Sequence, residues 1–241
     1  YLSKSYSVRN FIFLKLFLIL FILSSCDNNT ELLIIKDYYI ECDKNLFNEI
    51  YKNYKKNIYA DIILKKGDKK TKAKLRIRGD SSRDFEKKSL KIKIEDPNSI
   101  YSKKTFNFNA EYTDQTFLRS YLSSSIFKKM DYPCFSTSFS NIYLNNKYYG
   151  LYLEVENIDK DFLIKNGFNK KGDLYKASVD GACLYDTNEV KIKWEKKTNK
   201  NSCSKSLTKL INDLKNTDND DFYSYIKENF NYSKLIDYLA I

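Results

Sequence analysis

The chain has 241 residues, and 42 Lys and Arg against 31 Asp and Glu give it a net charge of +11. It contains no histidine, which excludes Ser-His-Asp and Cys-His triads and most zinc sites within this chain, and leaves carboxylates, lysines and a bound metal as the available catalytic chemistry. Two prolines and 16% aromatic residues exclude a disordered chain, while the diffuse positive charge fits phosphate, anionic lipid or anionic polymer without selecting among them.

Residues 11–23 are apolar except for Lys15, and Lys4 and Arg9 precede them. That is a charged start and an apolar run too short for a comfortable membrane span. The run closes on Leu23-Ser24-Ser25-Cys26 and then turns polar with Asp27-Asn28-Asn29. This reads as a bacterial lipoprotein signal, with residues 1–25 removed, Cys26 lipidated and 26–36 serving as a tether. An ordinary secretory signal and a short uncleaved anchor are the alternatives, and in each the bulk of the chain is exported. Removing residues 1–25 takes away three basic residues and no acid, leaving +8. The abundance of Lys, Asn, Ile and Tyr points to an AT-rich genome, so part of that charge is compositional. Cys42, Cys134, Cys183 and Cys203 remain, and outside the cytoplasm Cys183 and Cys203, which flank one polar excursion, are the pair expected to bridge.

Residues 38–59 mix apolar and basic residues without a period. A strand is predicted over 59–66, followed by a turn at Lys66-Gly67-Asp68. Residues 72–78 alternate strictly, with Ala73, Leu75 and Ile77 on one face and Lys72, Lys74, Arg76 and Arg78 on the other. Residues 89–95 alternate again, with Leu90, Ile92 and Ile94 inward, and 106–109 form a short strand. Asp114 is placed to cap a helix carrying Phe117, Leu118, Tyr121, Leu122, Ser125, Ile126 and Met130. Residues 139–144 and 148–156 form a hairpin through Asn145-Asn146-Lys147, since consecutive asparagines tolerate positive φ. Asp159 caps a short helix through Lys165, closed by Gly167. Further strands are predicted at 172–176 and 190–194, then helices whose apolar residues are Leu207, Leu210, Ile211 and Leu214; Phe222, Tyr225, Ile226 and Phe230; and Leu235, Ile236, Tyr238 and Leu239. The order is a strand-rich half followed by a helical half, which reads as α+β.

Three features carry chemistry. In Arg78-Gly79-Asp80-Ser81-Ser82, a glycine turn with two hydroxyls follows a basic strand, and successive amides in such a turn can form an anion nest. A plain hairpin turn in a basic protein is the competing reading. Lys88 shares parity with Leu90, Ile92 and Ile94, so a regular strand points it inward, where it needs an anion. If the strand starts only at Ser89, Lys88 is solvated. Glu154 and Glu156 alternate with Leu153 and Val155; either this is a solvated face, or Glu156 pairs with the lysine or helps to hold a metal.

Six segments in order resemble the CotH (spore-coat protein H) kinase family: Arg78-Gly79-x-Ser81-Ser82, Lys87-Lys88-Ser89-x-Lys91-Ile92, Asp114-x-x-x-Leu118-Arg119, the run from Ile142 to Tyr152, Glu156-x-Ile158-Asp159 and Gly172-Asp173-Leu174-Tyr175-Lys176. The resemblance covers about residues 60–241. It implies an atypical protein-kinase-like fold over 37–241, with an antiparallel strand-rich N-terminal half and a helical C-terminal half. It implies ATP, with Mg2+ or Mn2+, and transfer of phosphate to Ser or Thr of exported proteins. Arg78, Gly79, Ser81 and Ser82 match the phosphate-side loop, Lys88 the nucleotide lysine and Glu156 its acidic partner, while the Asn145–Gly150 turn matches a structural feature. The family's catalytic and metal-binding aspartates follow the helix that begins here near Ser233, so they are expected beyond Ile241, and the chain as it stands is expected to be inactive. Asp237 does not match that segment. A non-catalytic surface lipoprotein acting in adhesion or assembly is the alternative. Nucleic-acid binding is set aside, because no glycine-aromatic segment of the RNP type occurs and export conflicts with it.

Overall fold

The structure, a computed structural model, describes residues 33–96, 98–99, 101–178, 182–185, 187–188 and 190–240. The proposed signal and Cys26 lie outside the described residues.

Seven strands close into one barrel: β1 (Lys36–Cys42), β2 (Ala60–Lys66), β3 (Lys69–Arg78), β4 (Ser89–Ile94), β5 (Thr105–Asn109), β6 (Thr137–Leu144) and β7 (Lys147–Val155). The order around the barrel is β1-β2-β3-β4-β5-β7-β6, and closure comes from a parallel pairing of β1 with β6 that aligns Tyr38 with Ile142. The other pairings are antiparallel. The strict alternation in β3 and β4 does what the period requires. Leu75, Ile77, Leu90 and Ile92 are at most 1% exposed, and they meet Phe106, Phe108, Ile40, Leu64 and Tyr152 inside. Tyr38 packs edge-on against Phe106 and Phe108, with ring centroids 5.5 and 5.0 Å away.

The β6–β7 turn has a second task. Asn145 and Asn146 take φ of +49° and +64°, and the Asn145 amide side chain bonds both backbone groups of Cys42 at 2.9 and 2.8 Å. That pins the end of β6 to the end of β1 where the barrel closes. Helix α1 (Lys44–Lys52) comes directly after β1, capped by Asp43, whose carboxylate accepts from the amides of Asn45 and Leu46. Helix α2 (Arg119–Lys129) covers the outside of β6–β7, with Tyr121 against Phe139 and Ser124 hydrogen-bonded to Thr137 at 2.8 Å.

The expected antiparallel strand-rich half followed by a helical half, the kinase-like α+β architecture, is corrected here. The barrel is closed and mixed, and its last hairpin, β6–β7, extends well into the second half of the chain. Beyond the barrel the chain forms a short helix α3 (Lys160–Lys165), a one-turn helix α4 (Val190–Lys193), a two-stranded ribbon of β8 (Tyr175–Ala177) and β9 (Trp194–Lys196), and helices α5 (Lys205–Asn216), α6 (Asn219–Asn229) and α7 (Tyr232–Ala240). Among the described residues there, only Val190, Leu207 and Ile211 form a buried cluster. No described residue of α6 or α7 is buried, and Phe222, Tyr223, Ile236, Tyr238 and Leu239 are exposed. Helical spacing makes amphipathic helices, but without buried apolar faces they do not make a lobe. The strand expected over 190–194 is helical through Lys193. The bridge between Cys183 and Cys203 is not formed; the four described cysteines are free.

Asp173 organises the ribbon. Its carboxylate takes Lys196 at 2.8 Å, the Asn199 side chain at 2.9 Å, Ser206 at 2.9 Å and the Tyr175 hydroxyl at 3.1 Å. Lys196 above all, then these donors, hold it far below the usual carboxylate range. A depressed carboxyl stabilises the fold above its unfolded value of 3.8 and loses that contribution as pH falls toward the folded value. We therefore expect Asp173 to stay ionised well below pH 3.8, and the ribbon to loosen from α5 only in stronger acid. A 13C-carboxyl NMR titration checks this; an ordinary midpoint for Asp173 would contradict it.

Candidate functional site

The phosphate-loop candidates gather where β3 ends and β4 begins. Gly79 takes φ of +115°, a conformation that favours glycine, and a Cβ there would sit 2.1 Å from the Ser82 hydroxyl. Ser81–Arg83 form a single 3-10 turn. Arg83, which sequence reasoning passed over, holds the loop down: its Nε bonds the Gly79 carbonyl at 2.7 Å, and its guanidinium reaches the carbonyls of Tyr54 and Lys55 and the side chain of Asn57.

Beside this turn lies a cavity of about 260 Å³, whose lining includes Arg78, Gly79, Ser82, Lys87, Asn109 and Glu111. Arg78 donates to the Asn109 side-chain oxygen. Burial, with the like charge of Arg76, pushes its guanidinium down to about 10. Lys87 donates to the carbonyls of Ala110 at 3.1 Å and Leu151 at 2.5 Å, and its ammonium lies 4.4 Å from the Tyr152 ring centre and 4.7 Å from that of Phe117. Burial pushes Lys87 below the ordinary lysine value, with Glu111 opposing. Ser81 is exposed and does not line the cavity.

Lys88 lies elsewhere. It is 5% exposed, although β4 begins one residue later. Its ammonium meets the carbonyls of Arg83 at 2.5 Å and Phe85 at 2.6 Å and lies 4.0 Å from the Tyr54 ring centre. Parity therefore gives its burial, but carbonyls and aromatic faces take the place of the anion. Glu156 is paired with Lys165 at 2.9 Å and accepts from the Ser136 amide at 2.8 Å, not from Lys88. Burial raises Glu156, but Lys165 and the Ser136 donors outweigh it and leave the carboxyl below its ordinary value.

Glu156 lines a second cavity, of about 320 Å³, at the mouth where β1, β5 and β6 start and β7 ends. Its most buried charge is Glu154, at 3% exposure. Glu154 accepts from the Tyr38 hydroxyl at 2.8 Å, is ion-paired with Lys103, and lies 3.9 Å from Lys36. The alternation of β7 suggested a solvated face for Glu154; instead it points into the barrel.

Two cations, a hydroxyl and a glycine turn converge on the smaller cavity. That donor set suits phosphate oxygens, so the residues fit the phosphate chain of ATP. Among the described residues no group of three or more carboxylate or cysteine side chains could hold a metal ion, and no metal ligand is assigned.

The family described as CotH kinase protein matches residues 75–241, which takes in β3 from its middle onward, the glycine turn and everything after them. The chain belongs to this family. Among curated relatives, it is 25% identical over 197 residues to the inner spore coat protein H of Bacillus subtilis (strain 168), covering 77% of this chain and 54% of the relative. The chain thus spans about half the length of the curated CotH relative it matches. The Arg78–Ser82 turn and the cavity beside it fall inside the CotH match, as do Glu154 in β7 and Glu156 just after it; Tyr38 and Lys36 lie before it.

Proposed function

We propose that this CotH-family chain is the nucleotide-binding part of an exported protein kinase, tethered to a bacterial membrane through lipidated Cys26, that passes phosphate from ATP to Ser or Thr of surface proteins. The observation that carries this reading is the cavity beside the Gly79 turn, where Arg78, Lys87 and Ser82 converge. Phosphoryl transfer needs positioning and charge neutralisation more than covalent chemistry from the protein, and preorganised cations with backbone donors supply both. Arg78, Lys87 and Ser82 would hold the phosphate chain of ATP, and bound Mg2+ or Mn2+ would neutralise charge on it. The depressed basicity of Arg78 and Lys87 marks cations that gain from an anion.

Calorimetric titration with ATP and Mg2+ or Mn2+ tests the nucleotide site on the chain itself. Saturable binding lost in Arg78→Ala supports it; absence of binding transfers the weight to a CotH-fold surface protein acting in assembly. Labelled phosphate on a Ser-rich acceptor tests the transfer step. For the tether, Cys26→Ser should abolish incorporation of labelled palmitate in bacterial cells and shift the protein from the membrane to the soluble fraction. Undiminished labelling in that variant would remove Cys26 from this role.

A further inference from the structure

The two ends of the barrel carry different surfaces. β1 starts at the mouth that holds Glu154, so the tether of residues 26–36 joins the barrel there, at Lys36. Because β2 runs antiparallel to β1 and β3 to β2, the β2–β3 turn lies at the same end, with Lys66 opposite Lys69. Lys104, just before β5, lines the same mouth. The Gly79 turn, where β3 stops, lies at the other end. Lys66, Lys69 and Lys104 are exposed, and their ammonium groups have no hydrogen-bond or ion-pair partner among the described residues.

The positive surface continues over α3. Asp159 and Asp161 line both the Glu154 cavity and an adjoining one of about 500 Å³, whose wall adds Lys160, Lys170, Lys171 and Lys200. These four are likewise exposed and unpaired. The acids nearby are fewer and mostly engaged. Glu41 holds Lys65 and Lys70, Glu95 lies 3.4 Å from Lys74, and Asp159 caps α3, while Asp68 and Asp161 are open. Apolar side chains sit among these cations. α3 buries Phe162 and Leu163 and turns Lys160 and Ile164, at i and i+4, outward. Gly167, with φ of +73°, closes the helix, and the next amide, that of Phe168, bonds the Leu163 carbonyl at 2.8 Å. The Phe168 ring is left 48% exposed, two residues before Lys170.

Unpaired lysines interleaved with exposed aliphatic and aromatic side chains suit an anionic bilayer, where lipid phosphates take the ammonium groups and the apolar tips enter the headgroup region. An acidic protein would complement the lysines but not Ile164 and Phe168. Reach favours the bilayer as well. Fully extended, residues 26–36 span at most about 35 Å, so a lipid on Cys26 holds this end of the barrel within that distance of the membrane and raises its effective concentration there.

We infer that the tether end of the barrel, with Lys66, Lys69, Lys104 and the Lys160–Phe168 surface, rests on the anionic phospholipid bilayer, and that the Gly79 cavity opens away from it. This rests on the lipid-tether reading above.

The test is co-sedimentation of the mature chain from residue 26, carrying Cys26→Ser so that no lipid contributes, with vesicles of phosphatidylcholine and phosphatidylglycerol. The chain should bind these, bind pure phosphatidylcholine far less, and release at high salt. Replacing Lys66, Lys69 and Lys104 together by Gln should weaken binding by about tenfold or more without lowering the melting temperature. Replacing Lys44, Lys56 and Lys147, exposed lysines at the other end, makes the same charge change and should leave binding as it was. Phe168→Ser should weaken the binding that survives at high salt. Equal weakening by the two triple replacements would overturn the assignment of a face. Binding to soluble polyglutamate but not to vesicles would give the surface to an acidic protein and overturn it too. No vesicle binding would overturn this inference and leave the tether standing, since palmitate labelling of Cys26 tests the tether by itself.

Discussion

Replacing Glu154 by Ala should lower the unfolding free energy by about 3 kcal/mol, the scale expected when one partner of a buried ion pair is removed. Glu154 is the most buried charge at this mouth of the barrel, and three segments of the chain meet on it. Tyr38 comes from β1, Ser138 from β6 at 3.5 Å, and Lys103 from the segment before β5. The loss is not uniform across these partners. Lys103 and Lys36 keep side-chain exposures of 45% and 50%, so each can turn its ammonium to water, and their share is reduced by solvent screening. Tyr38 is 6% exposed and has no such exit, so its hydroxyl is stranded at a cost of about 1–3 kcal/mol. Glu154→Gln keeps an acceptor for Tyr38 and should lose less than half as much. Urea denaturation of both variants checks the order. In a double-mutant cycle, the Glu154→Ala loss should shrink when Tyr38 is already Phe; additive losses would show that the tyrosine bond does not carry the closure.

That carboxylate also marks where the sequence stops being a guide. In β3 and β4 one face is core and the other outer surface, so the period of two gives the inside directly. In β7 both faces are covered. Leu153 lies outward, beneath the layer that α2 builds on Phe139, and is 0% exposed, while Tyr152 and Glu154 lie inward. An acid alternating with leucine therefore reads as a solvated face although it is the barrel interior. β1 was hidden for a related reason. Tyr38 is inside and Tyr39 stacks outside on Tyr143 at 4.7 Å, so neighbouring aromatics erase the alternation. The glycine turn was legible because positive φ and close packing demand glycine. What Lys88 meets was not, since that depends on where the carbonyls of residues 83–86 turn. Lys87, its neighbour in sequence, reaches the cavity instead. The helical half failed differently: spacing identified α5, α6 and α7 correctly as helices, but spacing does not say whether an apolar face is covered.

Gly79→Ala should weaken ATP binding by at least tenfold while costing about 1–3 kcal/mol of stability, the scale of one L residue held in a sparsely populated backbone region. The steric conflict alone is soft. The Ser82 hydroxyl at 2.1 Å can rotate away, and the next atoms, Ser82 Cβ and Arg83 Cγ, lie at ordinary contact distances of 3.5 and 3.6 Å. Rotation has a functional consequence, however, because it removes the hydroxyl from the cavity it lines. The φ of +115° is the harder constraint. Relaxing it moves the Gly79 carbonyl that Arg83 grips at 2.7 Å, and Arg83 in turn fixes the loop to residues 54–57. Gly67→Ala is the matched control. Gly67 also has positive φ, +57°, but sits in the β2–β3 turn with nothing within 4 Å of its added Cβ. It should lose stability of similar order and no affinity. Calorimetric titration with ATP alongside thermal melts separates the two effects. If Gly79→Ala melts early yet binds ATP as tightly as Gly67→Ala, the turn is a structural corner of the barrel and the phosphates lie elsewhere.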